Sequence, residues 1–253
     1  MTYTFATVAR MEWIKLRSLR SVWWLLAASV LAMVAMGVGI GIGYRGHTPV
    51  ASVAQIVNNS LGGAILAQLF IGALGILVVT GEYSSGTIRA TLAAVPRRRL
   101  VLAAKTAVYG TAALLAGLIA SAAGYVAGQV AIAGSPVPRA SLAEAGPALL
   151  RTAIYLGVIG LIGVGLGALV RHSGGAIGLL FGGLFVPMIL GGILGEAGIP
   201  VSRFLPVLML VNTIAVTTPV PGMLPAWLAT GVMVGYAVIA IGLGTVVLTR
   251  RDA

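Results

Sequence analysis

Six stretches of this chain contain no Asp, Glu, Lys or Arg, and their lengths dictate the solvent in which it folds. They run from Val22 to Gly43, Gly46 to Gly81, Thr106 to Pro138, Thr152 to Val170, Ser173 to Gly195 and Phe204 to Thr249. A helix crosses the roughly 30 Å of bilayer hydrocarbon in about 20 apolar residues, so each stretch has room for a span. A soluble domain could not keep this surface dry: 59% of the 253 residues are hydrophobic and 8% are charged, against about 25% charged in soluble domains. Backbone polar groups in hydrocarbon must be satisfied within the segment. The expected fold class is therefore all-α, a polytopic membrane protein with a single transmembrane domain over 1–253.

The last stretch, 46 residues long, has room for two spans, which would put the termini on opposite sides. Charge decides against that. With six spans and an interior N-terminus, the cytoplasmic side carries Arg10, Lys15, Arg17, Arg20, Arg89, Arg97, Arg98, Arg99, Lys105, Arg171, Arg250 and Arg251. The other side carries Arg45, Arg139, Arg151 and Arg203. Twelve against four is the positive-inside bias, and a seventh span would export Arg250 and Arg251. The expected layout is an interfacial helix over 1–21, spans at 22–43, 59–80, 106–133, 150–170, 174–195 and 226–249, and both termini inside. A cytoplasmic loop fills 81–105. No cleavable signal peptide is expected, because about twenty residues with five charges precede a first apolar run long enough to span.

The net charge of +11 needs no nucleic acid to explain it. Arginine gathers on the side facing anionic lipid head groups, whereas a nucleic-acid binder needs a soluble basic face with stacking aromatics. The absence of cysteine removes disulfides and thiolate chemistry. The two histidines, His47 and His172, fall on opposite sides of the membrane and make no metal centre. All five acids, Glu12, Glu82, Glu144, Glu196 and Asp252, lie outside the predicted hydrocarbon. An ion-coupled carrier usually needs an ionisable group within it.

Before the first span, Phe5, Val8, Ala9, Trp13, Leu16 and Leu19 share about 140° of helical arc, with Arg10 and Arg17 off it. This predicts an amphipathic helix in the cytoplasmic interface, with Trp13, Trp23 and Trp24 near the head groups. Glu12 interrupts the arc. Either it pairs locally with Lys15, or it and its neighbours Lys15 and Arg17 meet a cytoplasmic partner. Within the spans, Gly163 and Gly167, then Gly174, Gly178 and Gly182, then Gly191 and Gly195, then Gly231 and Gly235 recur at four-residue spacing. That spacing allows close helix packing, within one subunit or across a dimer seam. Gln68, Gln129 and Pro187 fall at membrane depth; Gln68 either bonds a neighbouring helix or lines a substrate path.

Between the fifth and sixth spans, prolines bracket an apolar run, Leu205 to Thr217, of only 13 residues, too short to cross. It reads as a re-entrant or interfacial hairpin over 199–224 on the outer side, with Asn212 available to satisfy freed backbone groups. The hairpin either covers the exit of a path or merely packs.

The most distinctive segment is the polar, basic island from Gly81 to Lys105. Ile88, Leu92 and Val95 fall at i, i+4 and i+7, an apolar stripe on a short helix from which Arg89 points elsewhere. Glu82 is expected near the start of that helix, where a carboxylate suits the dipole. Gly86 loosens the first turn, Pro96 ends the helix, and Arg97, Arg98 and Arg99 hold the junction at the lipid surface. Glu82, Gly86, Thr87 and Ile88, continuing through Pro96, Arg99 and Lys105, together with Glu12, Lys15, Leu16 and Arg17, resemble the membrane subunits of type-two ABC exporters. The resemblance extends to the six-span layout and the broken hairpin, and so covers nearly the whole chain.

The resemblance implies that the first cytoplasmic loop is a coupling helix seated on a separate ATPase, with the N-terminal helix alongside it. Glu82, Tyr83, Gly86, Thr87, Ile88, Arg89, Leu92 and Val95 would then form the ATPase-coupling site, the apolar stripe and Arg89 making the contact. The chain has no phosphate-cradling G-x-x-x-x-G-K-[ST] loop, since neither lysine follows a glycine. No cofactor is expected in the chain itself: ATP and Mg would be bound by two copies of a partner ATPase. A second permease subunit, identical or related, would complete the path, and the cargo would be hydrophobic or amphipathic. The Ala- and Gly-rich, Lys-poor usage suggests a bacterial cytoplasmic membrane. Gln68 and Asn212 are the candidates for lining the path. The rival expectations are a self-contained channel or carrier, which would need a polar or charged membrane path that is sparse here, and a membrane scaffold that transports nothing.

Overall fold

The computed structural model describes residues 4–45, 52–134, 138–194, 203–214 and 222–250. Every regular element among them is helical. The chain runs through α1 (Phe5–Ser18), α2 (Arg20–Arg45), α3 (Val53–Ser60), a 3-10 turn (Leu61–Gly63), α4 (Ala64–Ser84), α5 (Thr87–Ala94) and α6 (Arg98–Ala131). It continues through α7 (Leu142–Val170), α8 (Ser173–Leu194), α9 (Pro206–Ile214) and α10 (Ala226–Arg250). Five segments are long and apolar enough to cross a membrane: Arg20–Tyr44, Ala54–Ser84, Arg98–Ala131, Leu142–Val170 and Ala226–Arg250. In α8 a shorter apolar helix runs over Ser173–Pro187.

The helices outrun the uncharged stretches that foreshadow them. α4 continues through Glu82 to Ser84, and α6 begins at Arg98, so Lys105 lies two turns inside a helix and the loop expected over 81–105 shrinks to α5 and its short joints. α7 starts at Leu142 because Ser141 and Glu144 form a reciprocal capping box, which satisfies the first free backbone N–H groups of the helix.

Packing centres on α4 and α7, flanked by α6, α10 and α2. Glycine sets the distance between α4 and α7. A Cβ at Gly163 would strike the Gly72 carbonyl, and one at Gly75 would strike the Gly160 carbonyl, so the two backbones meet with no side chain between them. Gly167 faces Ile76 on the same seam. The other glycine runs behave differently. Gly178, Gly182, Gly231 and Gly235 have open space where a Cβ would stand, so their spacing serves no seam within this chain. The pair Gly191 and Gly195 reaches beyond the described residues.

Bonds between helix ends sort the bundle into two faces. At one end, the Arg98 guanidinium donates to the Leu248 carbonyl at 3.0 Å and that of Arg171 to the Val247 carbonyl at 2.9 Å. The Thr80 and Ser173 hydroxyls share a 2.8 Å hydrogen bond there. At the other end, the Tyr125 hydroxyl donates to the Ala140 carbonyl and the Arg151 guanidinium to the Thr213 carbonyl. Part of the hairpin expected over 199–224 lies outside the described residues. Of what is described, α9 covers Pro206–Ile214, and Asn212 is buried and donates to the Leu224 carbonyl at 3.0 Å.

Candidate functional site

The first end of the bundle holds most of the buried charge. α1 turns Val8, Glu12 and Leu16 inward at four-residue spacing, while Phe5, Trp13 and Leu19 stay about half exposed. A carboxylate at the centre of a buried stripe needs a counter-charge, and α6 supplies it. Lys105, only 4% exposed, donates to Glu12 Oε2, to Glu82 Oε1 at 3.0 Å and to the Val78 carbonyl at 3.4 Å. Lys15 donates to Glu12 Oε1 at 3.0 Å, to Glu82 Oε1 at 2.8 Å and to the Thr91 hydroxyl at 3.0 Å. Two ammonium groups and two carboxylates thus balance, and every ammonium proton has an acceptor, which offsets much of the cost of burying the ions, although Glu82 Oε2 has no hydrogen-bond partner among the described residues. For Lys15, burial alone would lower the pKa. Hydrogen bonds and charges from Glu82 and Glu12 outweigh burial and hold the pKa above the ordinary 10.5.

This cluster joins α1, α4, α5 and α6, and it revises the sequence-based placement of Glu82. Glu82 lies in the last turn of α4, not at the start of the coupling helix, and there the helix dipole opposes a carboxylate. Lys15 and Lys105 are what hold it. Glu12 likewise meets an ammonium from α6 besides that of Lys15, and the cluster engages it within the chain. Arg17 is exposed, and its carbonyl accepts from the Trp23 indole.

Tyr83, next to Glu82, serves the opposite flank of α4: the Arg171 guanidinium sits 5.2 Å from the centre of its ring, a cation–π contact. Arg171 closes α7 in a left-handed conformation, φ 63°, with its N–H on the Gly167 carbonyl, a helix end normally taken by glycine. The neighbouring residues Glu82 and Tyr83 therefore tie the end of α4 to α1 and α6 on one side and to α7 and α10 on the other.

The chain then bends. Gly86 does not loosen a helical turn, as its position suggests; it stands between α4 and α5 with φ 72°, a conformation that costs a side-chain-bearing residue about 1 kcal/mol or more. From this bend α5 runs back with Ile88, Thr91 and Val95 buried and Leu92 partly so. Val95 packs with Val8, Val101 and Ala104, and Leu92 leans on the same group. Val95 and Leu92 are thus spent on the chain's own α1 and α6, and Ile88 is buried, so little of the apolar stripe is exposed. The exposed side of α5 consists of Thr87, Arg89, Ala90, Ala93 and Ala94.

Gln68 and Asn212 are 0% and 2% exposed, so neither faces an open path in this conformation. Gln68 Oε1 accepts from the Tyr155 hydroxyl at 2.6 Å, and its amide donates to the Ile65 carbonyl. Thr91, Arg171 and Tyr155 complete these contacts and escape sequence reasoning, whereas Lys105 was visible only as part of a motif, with no partner assigned to it. No group of three or more His, Cys, Asp or Glu side chains able to hold a metal occurs among the described residues.

A family profile described as ABC-2 family transporter protein matches residues 8–181, more than half of the chain and the whole of this junction. No curated protein matches the chain. The chain therefore belongs to the ABC-2 transporter family, as the membrane permease component of an ABC-type transporter.

Proposed function

We propose that this chain is the permease subunit of an ABC exporter in which α5 is the coupling helix, driven by a separate ATPase. The observation that carries the proposal is the buried ion cluster, which binds α5 through Thr91, and α1 through Glu12 and Lys15, to the ends of α4 and α6. A push on α5 would not dissipate in a loose loop, because Thr91 is bonded to Lys15 of α1, and Lys15 shares Glu82 of α4 with Lys105 of α6. ATP-driven closure of two ATPase subunits would move α5 about the Gly86 bend. The ends of α4 and α6 would follow, biasing a pair of permease subunits between inward- and outward-facing states.

The topology that fits has six spans, α8 being the fifth, with both termini in the cytoplasm of a bacterial cell. It is supported by Arg20 and Arg98 where α2 and α6 begin, Arg171 between α7 and α8, and Arg250 where α10 ends. A second copy or a related chain completes the path, because Gln68 and Asn212, the candidates for lining one, are buried within this bundle. The cargo is hydrophobic or amphipathic, in keeping with an uncharged interior.

The ATPase contact falls on the exposed face of α5. Arg89→Glu combined with Ala93→Arg inverts and crowds that face without touching the buried side. The expected result is loss of ATPase co-purification and of transport from a chain that still folds. Retention of both would remove α5 from the interface. Ion flux through the purified chain alone in liposomes would favour the channel reading instead.

A further inference from the structure

A groove of about 440 Å³ lies between α1 and the membrane-facing side of α6. Arg10 and Trp13 stand at its mouth, and its wall runs along Ala107, Thr111, Ala112 and Leu115. That wall is apolar in effect, since the Thr111 hydroxyl is already bonded to the Ala107 carbonyl at 2.9 Å. From Ala107 to Leu115 it extends about 12 Å along the helix axis, the depth of the upper part of an acyl chain. At the mouth, the exposed Arg10 has no hydrogen bond or ion pair among the described residues. The nearest acid in sequence, Glu12, is turned inward and taken by Lys15 and Lys105. Trp13, half exposed, has the amphipathic ring that settles at head-group depth.

We propose that this groove is a binding site for an anionic phospholipid of the cytoplasmic leaflet. The phosphate would pair with Arg10, and one acyl chain would lie along α6 from Ala107 to Leu115. The charge at the mouth favours an anionic head group, because a guanidinium without an acid partner gains the full attraction of its phosphate, whereas in a zwitterionic lipid the head group's own ammonium offsets part of it. The apolar wall selects a chain over a free phosphate. The inference rests on α1 lying at the cytoplasmic surface. It also gives α1 a second attachment to α6, on the flank away from the ion cluster.

Quenching of Trp13 by lipids brominated on the acyl chain tests it. The full chain, carrying Trp23→Phe, Trp24→Phe and Trp227→Phe, is reconstituted in phosphatidylcholine with increasing fractions of brominated phosphatidylglycerol or brominated phosphatidylcholine. The site predicts a preference of about five-fold for the anionic lipid, the factor that corresponds to roughly 1 kcal/mol for one basic side chain at an anionic surface. Arg10→Gln should abolish the preference. Ala112→Phe, which fills the groove, should bring quenching by either lipid down to that of bulk contact. Equal quenching by the two lipids, or a preference that survives Arg10→Gln, would overturn the proposal. Co-purification of the ATPase, which tests the transport reading, does not enter this measurement.

Discussion

Two buried polar contacts in this bundle solve the same problem by opposite means. Near the ends of α4 and α6, four charged side chains close on one another and draw in the Thr91 hydroxyl and the Val78 carbonyl. Deeper between α4, α7 and α9, Gln68, Tyr155 and the Pro206 carbonyl meet without any charge. The difference follows from what each contact leaves behind when disturbed. Broken, the neutral contact strands one amide or one hydroxyl. The charged one strands a whole ion, so it holds its helices far more strictly. Under the proposed coupling, the strict connection falls where force would enter, and the neutral contact where the spans only pack.

The sharpest way to break the comparison is Lys105→Met, which leaves Glu12 buried with one counter-charge for two carboxylates. We expect a loss of about 3–5 kcal/mol, measured by denaturant unfolding of the purified chain in detergent. Glu12→Gln in the same chain should recover most of it, because the cluster is neutral again. Lys15→Met should cost less, about 1.5–3 kcal/mol, since Lys15 is half-buried and Lys105 still reaches both carboxylates. Gln68→Leu should cost least, about 0.6 kcal/mol, the typical size of a hydrogen bond between membrane helices, because the Tyr155 hydroxyl keeps the Pro206 carbonyl. An equal loss from Gln68→Leu and Lys105→Met would erase the distinction.

The smallest effect is on pH. Folding raises the Lys15 pKa, so its stabilisation is complete below 10.5 and fades only as pH rises through the folded value. Unfolding midpoints should therefore be the same at pH 7 and pH 9 as far as Lys15 is concerned, and should fall above about 10.5. A fall already complete by pH 9 would mean that Lys15 is not held by the two carboxylates.

Much of the architecture was legible because lipid allows so few solutions: a chain with uncharged stretches of span length has little choice but helices. A local signal also held where it acts locally, as in the break near Pro96, whereas the Ser141 and Glu144 capping box, which starts α7 well before residue 150, went unread. What escaped was pairing across the chain. Lys105 and Glu12 are 93 residues apart, and Lys15 and Glu82 are 67 apart, distances that no periodicity reports. For the same reason Glu82 was expected near the start of the coupling helix, when it lies in the last turn of α4, held there by two lysines from other helices. The stripe of Ile88, Leu92 and Val95 was visible as a stripe. Only the positions of Val8, Val101 and Ala104 show that it faces inward. Glycine spacing was the least informative signal, since Gly163 and Gly231 carry the same motif and only the first sits against another helix of this chain.

The central claim is that α5 drives the spans through the ion cluster, and Thr91 is the atom-sized point at which to test it. Thr91→Val keeps the shape of the side chain and removes the hydroxyl that Lys15 reaches. Transport per ATP hydrolysed, measured on the reconstituted complex with its ATPase, should fall several-fold while hydrolysis and assembly persist. Unchanged transport per ATP would contradict the account, and the cluster would then be a fastening of the fold with no part in moving cargo.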